Sequence, residues 1–181
     1  TEDKCRVIGS GSSNGIDLDY WSEDAVSSDV LDSLKIDIQY DENLRYFLFV
    51  GRLVRDKGLE ELVEAFVTLH DEEPSVQLIL AGSFDQRRAS EALSEQCIRS
   101  IHESSFIHAV GWSDHIREWM ALADALVFPS HREGFPNVLL QAGAMKLPLI
   151  CSDIEEHQYL LEHRETGLLF AVDDSYALLQ S

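Results

Sequence analysis

The sequence predicts an α/β fold: a Rossmann-like parallel sheet with helices on both faces. Two observations carry this. From Tyr46 onward, apolar runs of four to six residues alternate with helical patterns of about ten or more. The runs are continuous rather than alternating, as strands buried on both faces require.

The elements follow in order. Tyr46-Phe47-Leu48-Phe49-Val50 reads as a buried strand ending at Gly51. Leu59, Leu62, Val63, Phe66 and Leu69 fall at helical spacing, so a helix is expected from Gly58 to about His70, stopped by Pro74. Val76 to Gly82 is a second strand, Asp85 to His102 a polar helix, and Phe106 to Ala109 a third, weaker strand. Ser113 or Asp114 is expected to cap a helix running to Ala123. Ala125 to Phe128 is a strand ended by Pro129, and Pro136 suits the first turn of a helix to Met145. Leu149 to Cys151, a helix over Glu155–His163, a strand over Gly167–Phe170 and a helix from Asp173 complete the series.

The first 45 residues differ. GSGSSNGIDLDYWSEDAVSS is rich in turn-forming residues, with one short strand before it (Cys5 to Ile8) and a helix or turn over Ser28 to Lys35. The Gly9–Gly15 run superficially resembles a dinucleotide loop but lacks the helix that should follow it.

Charge excludes several classes. Fourteen Lys+Arg against 33 Asp+Glu give −19, which repels polyanions and opposes binding to nucleic acid or to an anionic membrane surface. No apolar run approaches the ~18 residues of a membrane span. Three scattered Cys without a CxxC point to reduced thiols and a cytoplasmic protein. No metal-ligand spacing and no nucleophile elbow is present.

In such folds ligands bind beyond the carboxyl ends of the strands. The loop Gly51–Gly58 places three of the 14 basic residues in eight positions, next to a helix start. It is either an anion site, where cations, free N–H groups and the helix dipole act together, or a solvated basic turn. Pro129–Val138 brings Glu133, Gly134 and Pro136 to the same sheet edge. On the residues alone Glu133 reads more readily as a favourable dipole contact than as a catalytic acid, and His131 as an ordinary loop histidine.

Together these pieces resemble the C-terminal, donor-binding half of a retaining GT-B glycosyltransferase of the "glycosyl transferases group 1" family (family 4). The landmarks are SNGID (13–17), FVGRLVRDKGLEELVEAF (49–66), LILAG (78–82), VGW (110–112), ADALVFPSHREGFPNVLLQAGAMKLPLICSD (123–153) and ETGLLF (165–170). The resemblance implies that residues 1–45 are an inter-domain connection and leader, and 46–181 a nucleotide-sugar-binding domain whose N-terminal acceptor domain is absent from the chain. It implies catalytic roles for Arg52, Lys57 and Glu133. Arg52 and Lys57 match the basic pair that grips the nucleotide diphosphate, and Glu133 the first acid of the E-x7-E motif, which faces the donor sugar. Gly51, Gly111, Trp112, Gly134, Phe135, Pro136, Asn137 and Val138 would complete the nucleotide-sugar site. Gln141 stands where the motif's second acid accepts from the ribose, and Glu155–Tyr159 where a glycine-rich turn and an acid are common.

The function implied is transfer of a hexosyl group, with retention, from a nucleotide sugar to a glycan or lipid-linked acceptor in surface polysaccharide biosynthesis. A UDP-sugar is preferred over a GDP-sugar. No cofactor or metal is expected, and membrane contact only through the absent half. The alternatives are a GT-B nucleotide-sugar epimerase, disfavoured by EGFPNVLLQAGAM, and a non-catalytic binding or scaffold domain, kept open by Gln141 and the altered 155–159 stretch.

Overall fold

The computed structural model describes residues 15–85 and 91–172, with 174, 175 and 178. The expected strand at Cys5–Ile8, the Gly9–Gly15 loop up to Asn14 and the start of a helix at Asp173 lie outside the described residues.

Six strands form one parallel sheet: β1 (Arg45–Val50), β2 (Val76–Ala81), β3 (Ile107–Gly111), β4 (Ala125–Phe128), β5 (Leu149–Ser152) and β6 (Leu168–Phe170). Their order is β3-β2-β1-β4-β5-β6. Among the described residues five helices of seven or more residues flank it: α1 (Ser28–Asp37), α2 (Leu59–Glu72), α3 (Glu95–Glu103), α4 (Ile116–Leu122) and α5 (Asn137–Ala144). A one-turn helix, α6 (Glu155–Gln158), follows β5. Right-handed crossovers put α2 and α3 on one face and α4 and α5 on the other. The packing of α2 on α3, and of α1 on α4, agrees with this.

The core explains why the apolar runs are unbroken. β2 is buried at every position, and Leu48, Phe49, Leu78, Ile79, Leu80 and Leu126 are fully enclosed between the helix layers. Residues 15–44 are also packed: Leu34 and Ile38 are buried in the same core, and Trp21 rests against it.

Four expected elements differ. The Asp85–His102 helix begins only at Glu95, because Ser94 Oγ accepts the Cys97 N–H at 3.1 Å as an N-cap. The residues before it serve the loop after β1: Leu53 bridges to Phe84, and the Glu91 carbonyl accepts from Arg55 N. Neither Ser113 nor Asp114 caps α4. His115 is the N-cap, and Ser113 Oγ instead accepts from His115 N (3.1 Å) and from buried Trp119 Nε1 (3.2 Å). Pro136 is the N-cap of α5 rather than part of its first turn. The Glu155–His163 helix stops at Gln158. Beyond it, Leu160 and Leu161 both donate to the His157 carbonyl, and Arg164 turns through φ 65° so that its N–H reaches Gly167 O.

Candidate functional site

The order of the strands fixes where a site can be. β1 leads outward to β2 and β3, while the chain returns on the other side to β4, β5 and β6. The loops after β1 and β4 therefore leave neighbouring strands in opposite lateral directions and open a crevice between them.

Here the two loops are tied across that crevice. His131 N donates to Asp56 O at 3.1 Å, and the Arg132 guanidinium pairs with the Asp56 carboxylate. Gly58, at φ 71°, lies so close to Pro129 that an added Cβ would sit 2.2 Å from the Pro129 carbonyl oxygen. A second close approach holds β2 to β1: a Cβ on Gly82 would sit 1.7 Å from Gly51 O. Both glycines are needed because a backbone occupies the space of their side chains.

A cavity of about 1050 Å³ opens over the ends of β1, β2 and β3. Gly51, Arg52, Trp112 and Gln141 all line it. Four expected site residues, from two loops and α5, thus meet in one hollow. Trp112 is 77% exposed at its rim. Lys57, Gly111, Glu133 and Gly134–Val138 are not among its walls. Gly111 closes the end of β3, its carbonyl accepting the Gly82 N–H at 2.8 Å.

Every basic residue of the Gly51–Gly58 loop has a carboxylate partner. Arg52 Nη1 lies 3.5 Å from Asp85 and 3.4 Å from Glu91, with its side chain half exposed. Arg55 lies 3.8 Å from Glu60. Lys57 Nζ meets Glu133 Oε1 at 2.5 Å, both side chains largely buried, and sits 5.9 Å from the centre of the Phe128 ring. So the loop is not a bare positive patch. Its cations are held by acids at the sheet edge.

Three groups at this edge were not singled out from the sequence. Tyr20 and Trp21 form an aromatic wall of the cavity, edge to face at 5.3 Å. Arg117 stacks over Tyr20 at 4.4 Å and donates to its carbonyl, and buried Glu118 holds Arg117 at 2.6 Å. Burial pushes the Glu118 carboxyl up, but hydrogen bonds from Arg117, its own backbone and Ser27 outweigh it and leave it below its ordinary value. The third is His157, fully buried beside Phe128. The aromatic pair sits in a segment whose composition reads as loop, so only contact with α4 shows its role.

Among the described residues no group of three or more His, Cys, Asp or Glu could hold a metal ion. No described helix is long and apolar enough to cross a membrane.

The strand order, the switch-point crevice and the cavity define a Rossmann-like domain of the kind that forms half of a GT-B fold. Solved structures share it. A domain of Anabaena Alr3699/HepE, crystallised with UDP-glucose, superposes with a TM-score of 0.77 at 21% identity, over 92% of this chain and 44% of that one. The C-terminal domain of a glycosyl transferase group 1 family protein (LpcC) from Francisella tularensis matches with a TM-score of 0.69 at 18% identity, over 92% of this chain and 85% of that one. The chain belongs to the Glycosyl transferases group 1 family, whose pattern matches residues 45–181. Among curated relatives it is 29% identical to the capsular polysaccharide biosynthesis glycosyltransferase CapM of Staphylococcus aureus, over 99% of this chain and 45% of that protein. The chain thus spans less than half the length of that relative.

Proposed function

We propose that this chain is the donor-binding domain of a glycosyltransferase that moves a hexosyl group, with retention, from a nucleotide-diphosphate sugar to a glycan or lipid-linked acceptor. Residues 1–45 would be the connection to an acceptor-binding domain, and 46–181 the nucleotide-sugar domain. Surface polysaccharide is the product class favoured by the likeness to CapM. A uridine nucleotide is favoured by the fold shared with the UDP-glucose-bound HepE.

The observation that carries the reading is that Arg52 lines a cavity large enough for a nucleotide sugar, with Lys57 on the same loop paired to Glu133. When the sugar's C1–O bond breaks, negative charge grows on the diphosphate. Cations and N–H donors already positioned there stabilise that charge without reorganising solvent. Arg52 is the more readily released cation, since its guanidinium is half exposed and its contacts to Asp85 and Glu91 are long, at 3.4–3.5 Å. Glu133 would face the donor sugar, with the N–H groups of Gly134–Val138 beside it. Gln141 would accept from the ribose through its amide oxygen, and Gly111–Trp112 would border the base.

A melting-shift panel of UDP-glucose, GDP-mannose and ADP-glucose tests this. A ligand at a hundredfold its Kd adds about 2.7 kcal/mol, or roughly 5–10 °C for a domain of this size. A uridine-specific shift is expected. No shift with any of the three at millimolar concentration overturns the reading.

A further inference from the structure

The stretch Glu155–Tyr159 contributes one group that the donor-site assignment leaves without a task. His157 is fully buried on the one-turn helix after β5. Its Nδ1 lies 2.8 Å from the Ser152 carbonyl oxygen, so Nδ1–H donates there and the ring is held in one tautomer. Ser152 Oγ donates in turn to Ser130 O, tying this pocket to the loop that carries Glu133. The other nitrogen, Nε2, is buried and has no hydrogen-bond partner among the described residues. A buried lone pair with nothing to accept from is costly unless something comes to it.

The charges acting on the ring come from three elements. Lys57 belongs to the loop after β1, Glu133 to the loop after β4 and Glu156 to His157's own helix. His157 and Lys57 both lie against Phe128: the His157 ring is 5.5 Å from its centre and Lys57 Nζ is 5.9 Å from it. Burial holds the imidazole below its ordinary value. The Ser152 carbonyl, Glu133 and Glu156 oppose this, and Lys57 reinforces it. His157 is therefore kept neutral while Lys57 sits on Glu133.

We propose that His157 is a positioning residue for Glu133, taking up a proton at Nε2 when a nucleotide diphosphate draws Lys57 away from that carboxylate. The inference rests on the donor-site reading above. Lys57 leaving removes the positive charge that opposes protonation. It also uncovers the negative charge of Glu133 and brings two phosphates near. All three changes favour the imidazolium. The ring need not turn, because Nδ1–H is already committed and Nε2 is the free position. The proton comes from solvent, and the near-neutral balance of the Lys57–Glu133 pair is restored as His157–Glu133.

The experiment is titration calorimetry of the chain with UDP-glucose, which has no ionisable group of its own near neutrality. It is run at pH 7 in buffers of different ionisation enthalpy. Uptake above about 0.3 proton per site is expected, with affinity falling by up to tenfold per pH unit as pH rises. His157→Gln puts an amide N–H near the Nε2 position. It should bind within a few-fold of the parent but with buffer-independent heats and no pH slope. A role in packing alone would lower the melting temperature of this variant without removing proton uptake.

Should the variant fail to fold, imidazole nitrogen resonances of the unaltered chain decide. His157 should pass from a single Nδ1–H tautomer to the doubly protonated ring on adding UDP-glucose, and also, without ligand, in Lys57→Met. Binding with buffer-independent heats, or a His157 that stays neutral in both cases, overturns this inference and leaves the donor site standing. No binding of UDP-glucose, GDP-mannose or ADP-glucose removes both.

Discussion

Gly58→Ala tests whether the two loops really are in backbone contact at the switch point. An added Cβ would lie 2.2 Å from Pro129 O and 2.8 Å from Pro129 C, whereas real Cβ atoms keep at least 3.0 Å. The loops must separate by about 0.8 Å (3.0 − 2.2), and backbone on both sides must move. Holding a non-glycine residue at φ 71° adds a left-handed penalty of roughly 1–2 kcal/mol. Displacing a packed neighbour adds about 1–3 kcal/mol. The sum, about 2–5 kcal/mol, corresponds to a fall of roughly 4–20 °C in melting temperature.

Gly111→Ala supplies the control. Gly111 has nearly the same φ, 73°, but nothing within 4 Å of an added Cβ. It should show the left-handed penalty alone, roughly 2–8 °C. Gly134→Ala, with open space and no such φ, should be close to silent. Thermal melting by circular dichroism, with and without UDP-glucose, reads all three. Gly58→Ala should also lose most of the nucleotide-induced shift, because separating the loops moves Lys57 away from Glu133. If Gly58→Ala melts no lower than Gly111→Ala and keeps its nucleotide shift, the close contact, and the geometry argued from it, is wrong.

Other outcomes follow from the same contacts. Lys57→Ala should cost about 1–3 kcal/mol of stability, since it strands a largely buried carboxylate, yet weaken UDP binding more than tenfold; equal proportional losses in both would remove the phosphate role. Gln141→Glu should tighten UDP binding several-fold by giving the ribose hydroxyls a charged acceptor, and weaker binding by calorimetry would show that Gln141 does not face the ribose. Glu118→Gln should lower the melting temperature at neutral pH. Because the folded Glu118 titrates below its ordinary 4.5, its contribution is fully present above that value and fades as pH falls through the lower folded one. The melting curves of the variant and the parent should therefore converge in acid, and a gap that persists at the lowest pH tolerated would refute the ionic role.

The fold was legible because its strands are enclosed on both faces. Phe47–Phe49 and Leu78–Leu80 have apolar neighbours above and below, so the runs stand out without any periodicity to interpret. Helix ends were less legible, because tertiary partners claimed the capping groups. Ser113 looks like an N-cap, but its hydroxyl serves the buried indole of Trp119. Ser94 was overlooked amid a polar stretch, yet it is the cap. At the site, the sequence identified the cations but not their partners. Asp85, Glu91 and Glu133 lie 33, 39 and 76 positions from the bases they meet, and only the parallel register brings them together. His157 was the least legible of all. Nothing in EEHQY distinguishes a buried imidazole from an exposed one, and only the Ser152 carbonyl and the Phe128 face define its place.

The pairing of the site's cations alters what the net charge of −19 means for ligand binding. A bare cationic loop on so acidic a chain would draw any passing anion. Here each cation carries a carboxylate, and a ligand must replace that partner rather than fill a vacant field. For Arg52 the exchange is easier, because its guanidinium is half exposed and its contacts are long, although Asp85 and Glu91 are themselves largely buried. For Lys57 it is not, because both it and Glu133 are largely out of water, and stripping one partner from such a pair leaves an uncompensated charge. A single phosphate could recruit Arg52. Recruiting Lys57 leaves Glu133 in need of a new partner, which the proposed protonation of His157 would supply. A nucleotide sugar would add to this on one molecule, with phosphates for Lys57 and sugar hydroxyls for Glu133. Discrimination against free phosphate would then reside in the Lys57–Glu133 exchange, and the total charge of the chain would have little part in it.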